Sequence, residues 1–188
     1  MNHPDFIERL KKADEQSFIE LMEAYQHRVY NTVLSLLQHE QDAEDITQEV
    51  FLQVFKSVHS FRGEAKLSTW IYRIALSKVT EFERRRKAKK RIQAIMQIWG
   101  GAEEQAAEIP DFDHPGILLQ QKEQAQLLFK AIRQLPENQR QAFILIKAEG
   151  LTYQEAEEIM EKNVKSLEGL LHRAKEQLRI ILKDHYQS

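Results

Sequence analysis

The chain has no cysteine, six glycines and four prolines among its 188 residues. Lacking cysteine, it can form no disulfide, thiolate metal site or thiol nucleophile, which is compatible with a reducing compartment without proving one. The seven histidines are scattered, with no pair at helical ligand spacing beside a carboxylate, so no metal site is expected. No glycine-rich phosphate loop and no nucleophile constellation is present, so neither a cofactor nor an enzymatic activity is expected. No apolar run approaches the roughly 18 residues of a membrane span, and Met1 to Ser17 lacks the apolar segment of a secretory signal. The expectation is a cytoplasmic protein without membrane insertion.

The formal net charge is only -2, yet Arg84-Arg85-Arg86-Lys87-Ala88-Lys89-Lys90-Arg91 places seven cations in eight positions. Such a run neutralises closely spaced anions, and nucleic acid is the commonest polymer offering them. A protein or membrane contact, or a plain solvated helix end, is the alternative. The run closes a helical stretch with Trp70, Tyr72 and Phe82. Its buried face takes Trp70, Ile71, Ile74 and Val79, which leaves Tyr72, Arg73, Lys78 and Phe82 to meet DNA by stacking and phosphate contact.

Gly100, Gly101, Pro110, Pro115 and Gly116 cluster where helical periodicity lapses, beside Glu103, Glu104, Glu108, Asp111 and Asp113. They divide the chain into two small helical domains, 1–92 and 120–188, joined by an acidic flexible linker at 93–119. The fold class is all-α. Phe18, Leu21, Met22, Tyr25, Val29, Tyr30, Val33 and Leu37 recur as one helical face. In the next helix Ala43, Ile46, Val50, Val54 and Val58 form the apolar side, while Asp42, Asp45, Gln48, Glu49 and Leu52 face outward, to solvent or another protein. Phe61-Arg62-Gly63 reads as a turn, with Ser68 or Thr69 capping a helix that starts near Trp70.

Downstream, Leu127, Leu128, Ile132 and Leu135 mark a short helix stopped by Pro136, and Ala142, Phe143, Leu145 and Ile146 mark another ending at Gly150. Thr152-Tyr153-Gln154-Glu155 is a capping box. A short helix to Met160, a break at Glu161-Lys162-Asn163 and a longer helix from Val164 through Ile181 make a helix-turn-helix shape. Its second helix carries Lys165, Ser166, Glu168, His172, Arg173 and Lys175, residues suited to a major groove.

In this order the segments resemble the extracytoplasmic-function sigma factors of bacterial RNA polymerase over nearly the whole chain. The resemblance is carried by Asp42 to Phe51, Phe61 to Ala75, Leu135-Pro136-Glu137-Asn138-Gln139-Arg140 and Leu171-His172-Arg173-Ala174-Lys175. It implies promoter-specific transcription initiation, with RNA polymerase core and promoter DNA as partners and an anti-sigma factor as inhibitor. Asp42, Asp45, Gln48 and Glu49 would bind the coiled coil of the largest polymerase subunit. Tyr72, Arg73, Ser77, Lys78, Glu81, Phe82, Arg84, Arg85 and Lys87 would open and hold the minus-ten element. The helix-turn-helix would read the minus-thirty-five element, and the linker would thread the RNA exit path.

Ser77 and Glu81, one turn apart, replace the residues usual in that family and would face one nucleotide; alternatively Glu81 pairs with Arg84 or Arg85. In the C-terminal hairpin Ala156, Glu157, Glu161 and Lys162 also depart from the family pattern. A helix-turn-helix regulator that works without polymerase, or a helical interaction scaffold, are the competing functions.

Overall fold

A computed structural model describes residues 4–98 and 122–186, with side chains over 4–94 and 124–183. The described residues form helices and turns with no strand, as the hydrophobic periodicity predicts. The segment 99–119 read as acidic linker lies outside them.

The N-terminal half holds α1 (Pro4–Lys11), α2 (Glu15–Leu37), α3 (Glu40–Ser57) and α4 (Leu67–Ile98). Helix α1 lays Phe6 and Leu10 onto the core. The Asp14 side chain then caps α2 by accepting from the Ser17 amide at 2.9 Å, satisfying one of the orphan donors of a helix start. The imidazole of His39 does the same for α3 through the Asp42 amide. As the periodicity predicts, Ala43, Ile46, Val50, Val54 and Val58 are all buried. A 3-10 turn, Val58–Ser60, leads into the Phe61-Arg62-Gly63 turn, where Gly63 takes a φ of +76°.

Helix α4 differs from expectation at both ends. It opens at Leu67, which puts Ser68 and Thr69 inside its first turn rather than at its cap, and it runs on to Ile98 through positions 93–98. At 32 residues it is about 48 Å long.

The C-terminal half holds α5 (Lys122–Arg133), α6 (Glu137–Phe143), α7 (Tyr153–Met160) and α8 (Val164–Tyr186). Pro136, which has no amide hydrogen to lose, sits at the N-cap of α6. Helix α6 widens into a π turn at Ile144–Ala148, with the Glu149 amide donating to the Ile144 carbonyl, and Gly150 then reverses the chain at φ +68°. Both arms of the predicted capping box form, the Glu155 amide donating to Thr152 and the Thr152 amide to Glu155. Glu161 ends α7 in the left-handed region, and the Asn163 side chain starts α8 by accepting from the Ser166 amide.

The two halves share one continuous core from Phe6 to Leu178. The C-terminal half of α2 records the consequence. Residues 32–38 are buried without interruption, including the polar Thr32, Ser35 and Gln38, because α3 covers one side and the π turn approaches the other. The Gln38 side-chain amide donates to the Phe129 carbonyl at 2.8 Å, which ties the end of α2 to α5.

Candidate polymerase and nucleic-acid interfaces

The outward side of α3 divides into two edges. Asp45, Gln48, Leu52 and Phe55 share one strip of the helix, and all four are exposed; Leu52 is 58% and Phe55 49% accessible. Phe55 meets Phe18 of α2 edge to face at 5.2 Å, and Ile19, next to Phe18 in sequence, is also exposed. Asp42 and Glu49 lie on the other edge, against α4. There Arg86 approaches Asp42 at 3.6 Å and Lys78 approaches Glu49 at 3.4 Å. The four expected polymerase contacts therefore stand on one helix side, two fully exposed and two bridged to the basic helix.

The residues expected at the minus-ten strand are split three ways around α4. Tyr72 is 2% exposed, which corrects its assignment as a base-stacking surface: it belongs to the buried face, with Ile71, Ala75, Leu76 and Val79. Phe82 is partly buried against the same core, and Trp70 is half-buried with its ring 5.1 Å from that of Phe61. The physical reason is the second domain, which gives α4 a buried arc too wide for an estimate from one covered face. Lys78, as above, is held by α3.

Arg73, Ser77 and Lys87 face the C-terminal half. The Arg73 guanidinium donates twice to the Glu158 carbonyl, at 3.1 and 2.5 Å, and pairs with the Glu161 carboxylate at 3.6 Å. Ser77 lines a crevice of about 420 Å³ between α4 and the α6–α7 region. Lys87 reaches Glu137 at 3.9 Å. On the remaining side Glu81 accepts from Arg85, and Arg84 is exposed, so the Glu81 carboxylate takes the intrahelical pairing rather than standing free.

Sequence reasoning missed the partners of these groups. Glu83 of α4 and Arg140 of α6 form an ion pair whose side chains are 16% and 8% exposed, and Thr80 accepts from the Gln141 amide at 3.0 Å. Lys66 and Glu155 pair at 3.0 Å. That hydrogen bond, with help from Thr152, lowers the Glu155 pKa from its ordinary value, and it raises that of Lys66. Burial pushes the Glu149 carboxyl up, offset in part by the Thr32 hydroxyl and the Arg28 cation. Burial likewise raises Tyr72, with the Glu149 charge adding to it. Arg133 is shifted down by burial and by the neighbouring cations of Arg86 and Arg140. A pair divided between two domains leaves no periodic trace in the sequence, so no local pattern could have found it.

In the helix-turn-helix, Lys165, Ser166, Glu168, His172, Arg173 and Lys175 are all exposed, while Leu167, Leu171, Ala174 and Leu178 are buried beneath them. Ala156, one of the departures, is fully buried in α7. Among the described residues no group of three or more histidine, aspartate or glutamate side chains is placed to hold a metal, and no helix is long and apolar enough to cross a membrane.

Residues 21–89 match the family described as Sigma-70 region 2, and residues 125–178 match Sigma-70, region 4. The chain is 32% identical over 175 residues to the ECF RNA polymerase sigma-E factor of Escherichia coli strain K12, covering 90% of this chain and 88% of that protein. The sigma-E factor of Haemophilus influenzae is 28% identical over 172 residues, covering 92% and 90%. Two solved structures share the fold. CnrH in complex with the cytosolic domain of CnrY has a TM-score of 0.68 at 17% identity, covering 98% of this chain and 99% of that one. The Bartonella quintana sigma factor RpoE in complex with the anti-sigma factor NepR has a TM-score of 0.63 at 24% identity, covering 89% and 98%. Since both sigma-70 regions match in order and a relative 32% identical aligns over 90% of the chain, the chain belongs to the extracytoplasmic-function sigma factors of the sigma-70 family, the subunits that direct transcription initiation by bacterial RNA polymerase.

Proposed function

We propose a division of labour among three helices of this sigma factor. The exposed strip of α3, with Asp45 and Gln48 at its centre and Asp42 and Glu49 at its edge, binds polymerase core. Helix α4 engages the minus-ten element, its cations Arg73, Lys78, Arg84, Arg85 and Lys87 supplying phosphate contacts and Ser77 with Glu81 standing beside the bases. Helix α8 reads the minus-thirty-five element through Lys165, Ser166, Glu168, His172, Arg173 and Lys175. The segments 1–92 and 120–188 are the corresponding domains. The chain works in the cytoplasm, performs no catalysis of its own, and is inhibited by an anti-sigma factor.

One observation carries the assignment of α3: its apolar side is complete without the outward strip, so Asp45, Gln48, Leu52 and Phe55 are open to a partner. Run-off transcription with purified core on a fragment library tests the whole scheme. Asp45→Lys combined with Gln48→Ala is expected to weaken core binding in a pull-down at unchanged circular dichroism. Unchanged core affinity would refute the α3 surface.

A further inference from the structure

We propose that Gly169 is a specificity-determining position of this sigma factor: its bare backbone, at the centre of the outward face of α8, is where that helix comes closest to a base-pair edge of the minus-thirty-five element. This rests on the assignment of α8 to that element.

The placement follows from helix geometry. At about 100° per residue, the side chains that hold α8 to the core, Leu167, Leu171, Ala174 and Leu178, stand roughly 140 to 180° around the axis from position 169. Lys165, Ser166, His172 and Arg173, all exposed, flank it within about 60° on either side. Gly169 therefore occupies the middle of the side chains suited to a major groove, at the point of α8 farthest from the domain's interior.

Neither the backbone nor the packing of the chain calls for a glycine there. Gly63 and Gly150 take positive φ values in turns, whereas Gly169 lies within the regular helix. A methyl group built on it would come 3.6 Å from Arg173 Nη1 and 3.9 Å from Nη2, which is ordinary van der Waals contact and no clash. Glycine inside a helix is meanwhile destabilising relative to alanine, because its backbone loses more freedom on folding. A residue that weakens its own helix without serving the fold answers a requirement from outside the fold.

Arg173 shows where that requirement lies. Although it faces away from the core, Gly169 is partly covered, because the Arg173 guanidinium lies back over it from the next turn. An arginine extended instead to a guanine edge or a phosphate uncovers bare backbone. The fit is then close, since a helix with its side chains is about 10 to 12 Å across and the major groove about 12 Å wide. At the point facing the groove floor, one added carbon on a bond of about 1.5 Å sets how deeply the helix sits.

The test uses the full chain reconstituted with polymerase core. Binding is measured to duplex promoter fragments taken from the run-off selection and randomised across the minus-thirty-five element. Gly169→Ala is expected to raise the melting temperature of the free chain by about 2 to 4 °C. The same variant should bind the parent's preferred fragment about tenfold more weakly, the cost of one disturbed base pair, and change the base preference at one or two adjacent positions. Gly169→Gln, larger and still a good helix former, should extend the loss. The shift caused by Gly169→Ala should persist in an Arg173→Ala background. A stabilised Gly169→Ala variant with the parent's affinity and base profile would overturn the inference, as would a loss spread evenly over all fragments. Disappearance of the shift in the Arg173→Ala background would also overturn it, leaving Gly169 as no more than a seat for that side chain. Arg173→Ala and Lys165→Ala separate the two levels of the argument: if neither changes the profile, the assignment of α8 fails, and if they change it while Gly169→Ala does not, only the role of Gly169 fails.

Discussion

Tyr72 separates a structural role from a nucleic-acid role most sharply. Its side chain is 2% exposed, and its hydroxyl lies beside Thr32, Arg28 and Glu149 without closing a hydrogen bond of good geometry to any of them. Truncation to alanine removes a ring that buries on the order of 150 Å² of apolar surface, worth about 4 kcal/mol at about 25 cal/mol per Å². The range for large aromatic-to-alanine changes, about 3 to 5 kcal/mol, brackets that value. In a chain of this size each kcal/mol moves the melting temperature by about 2 to 4 °C, so Tyr72→Ala is expected to lower it by roughly 8 to 16 °C. Tyr72→Phe keeps the ring and deletes a hydroxyl that closes no good hydrogen bond, so it should change stability by less than about 1 kcal/mol. Thermal unfolding followed by circular dichroism measures both, with single-stranded DNA binding assayed well below the transition. If Tyr72→Ala melts with the parent but loses DNA binding, the ring is a base platform and its burial plays no part.

Three further outcomes are expected. Thr152→Ala removes one arm of the capping box and should cost about 1 kcal/mol in thermal unfolding, whereas Thr152→Ser should restore most of it. Glu155 has a lowered pKa, so its contribution is present above its ordinary value of 4.5 and is lost as pH falls through the lower folded value. Acid titration of Glu155→Gln should therefore lack the part of the parent's stability loss that falls below pH 4.5, and identical acid profiles would contradict this. Replacing Arg84, Arg85 and Lys87 with alanine should flatten the salt dependence of duplex promoter binding by about 0.9 log unit for each phosphate no longer neutralised. An unchanged slope would mean that these side chains do not touch the DNA backbone.

Much of this protein is determined locally and was legible without coordinates. The apolar stripe from Ala43 to Val58, the stop at Pro136, the reversal at Gly150 and the Thr152 to Glu155 capping box all formed as the spacing predicts, because each depends on side chains within a turn or two of one another. The exposed faces of α3 and α8 follow from the same periodicity, and they carry Asp45, Gln48, Lys165 and Arg173. What the sequence could not determine is which second surface would cover a helix already amphipathic on its own. Tyr72 moved to the interior, Thr32, Ser35 and Gln38 were buried as polar groups, and Arg73 and Lys87 acquired carboxylate or carbonyl partners, all because α5 to α7 and the π turn settle on α2 and α4. The Glu83–Arg140 pair joins residues 57 positions apart. Such a contact depends on the docking of whole domains, a long-range choice that local spacing does not encode and only the tertiary structure decides.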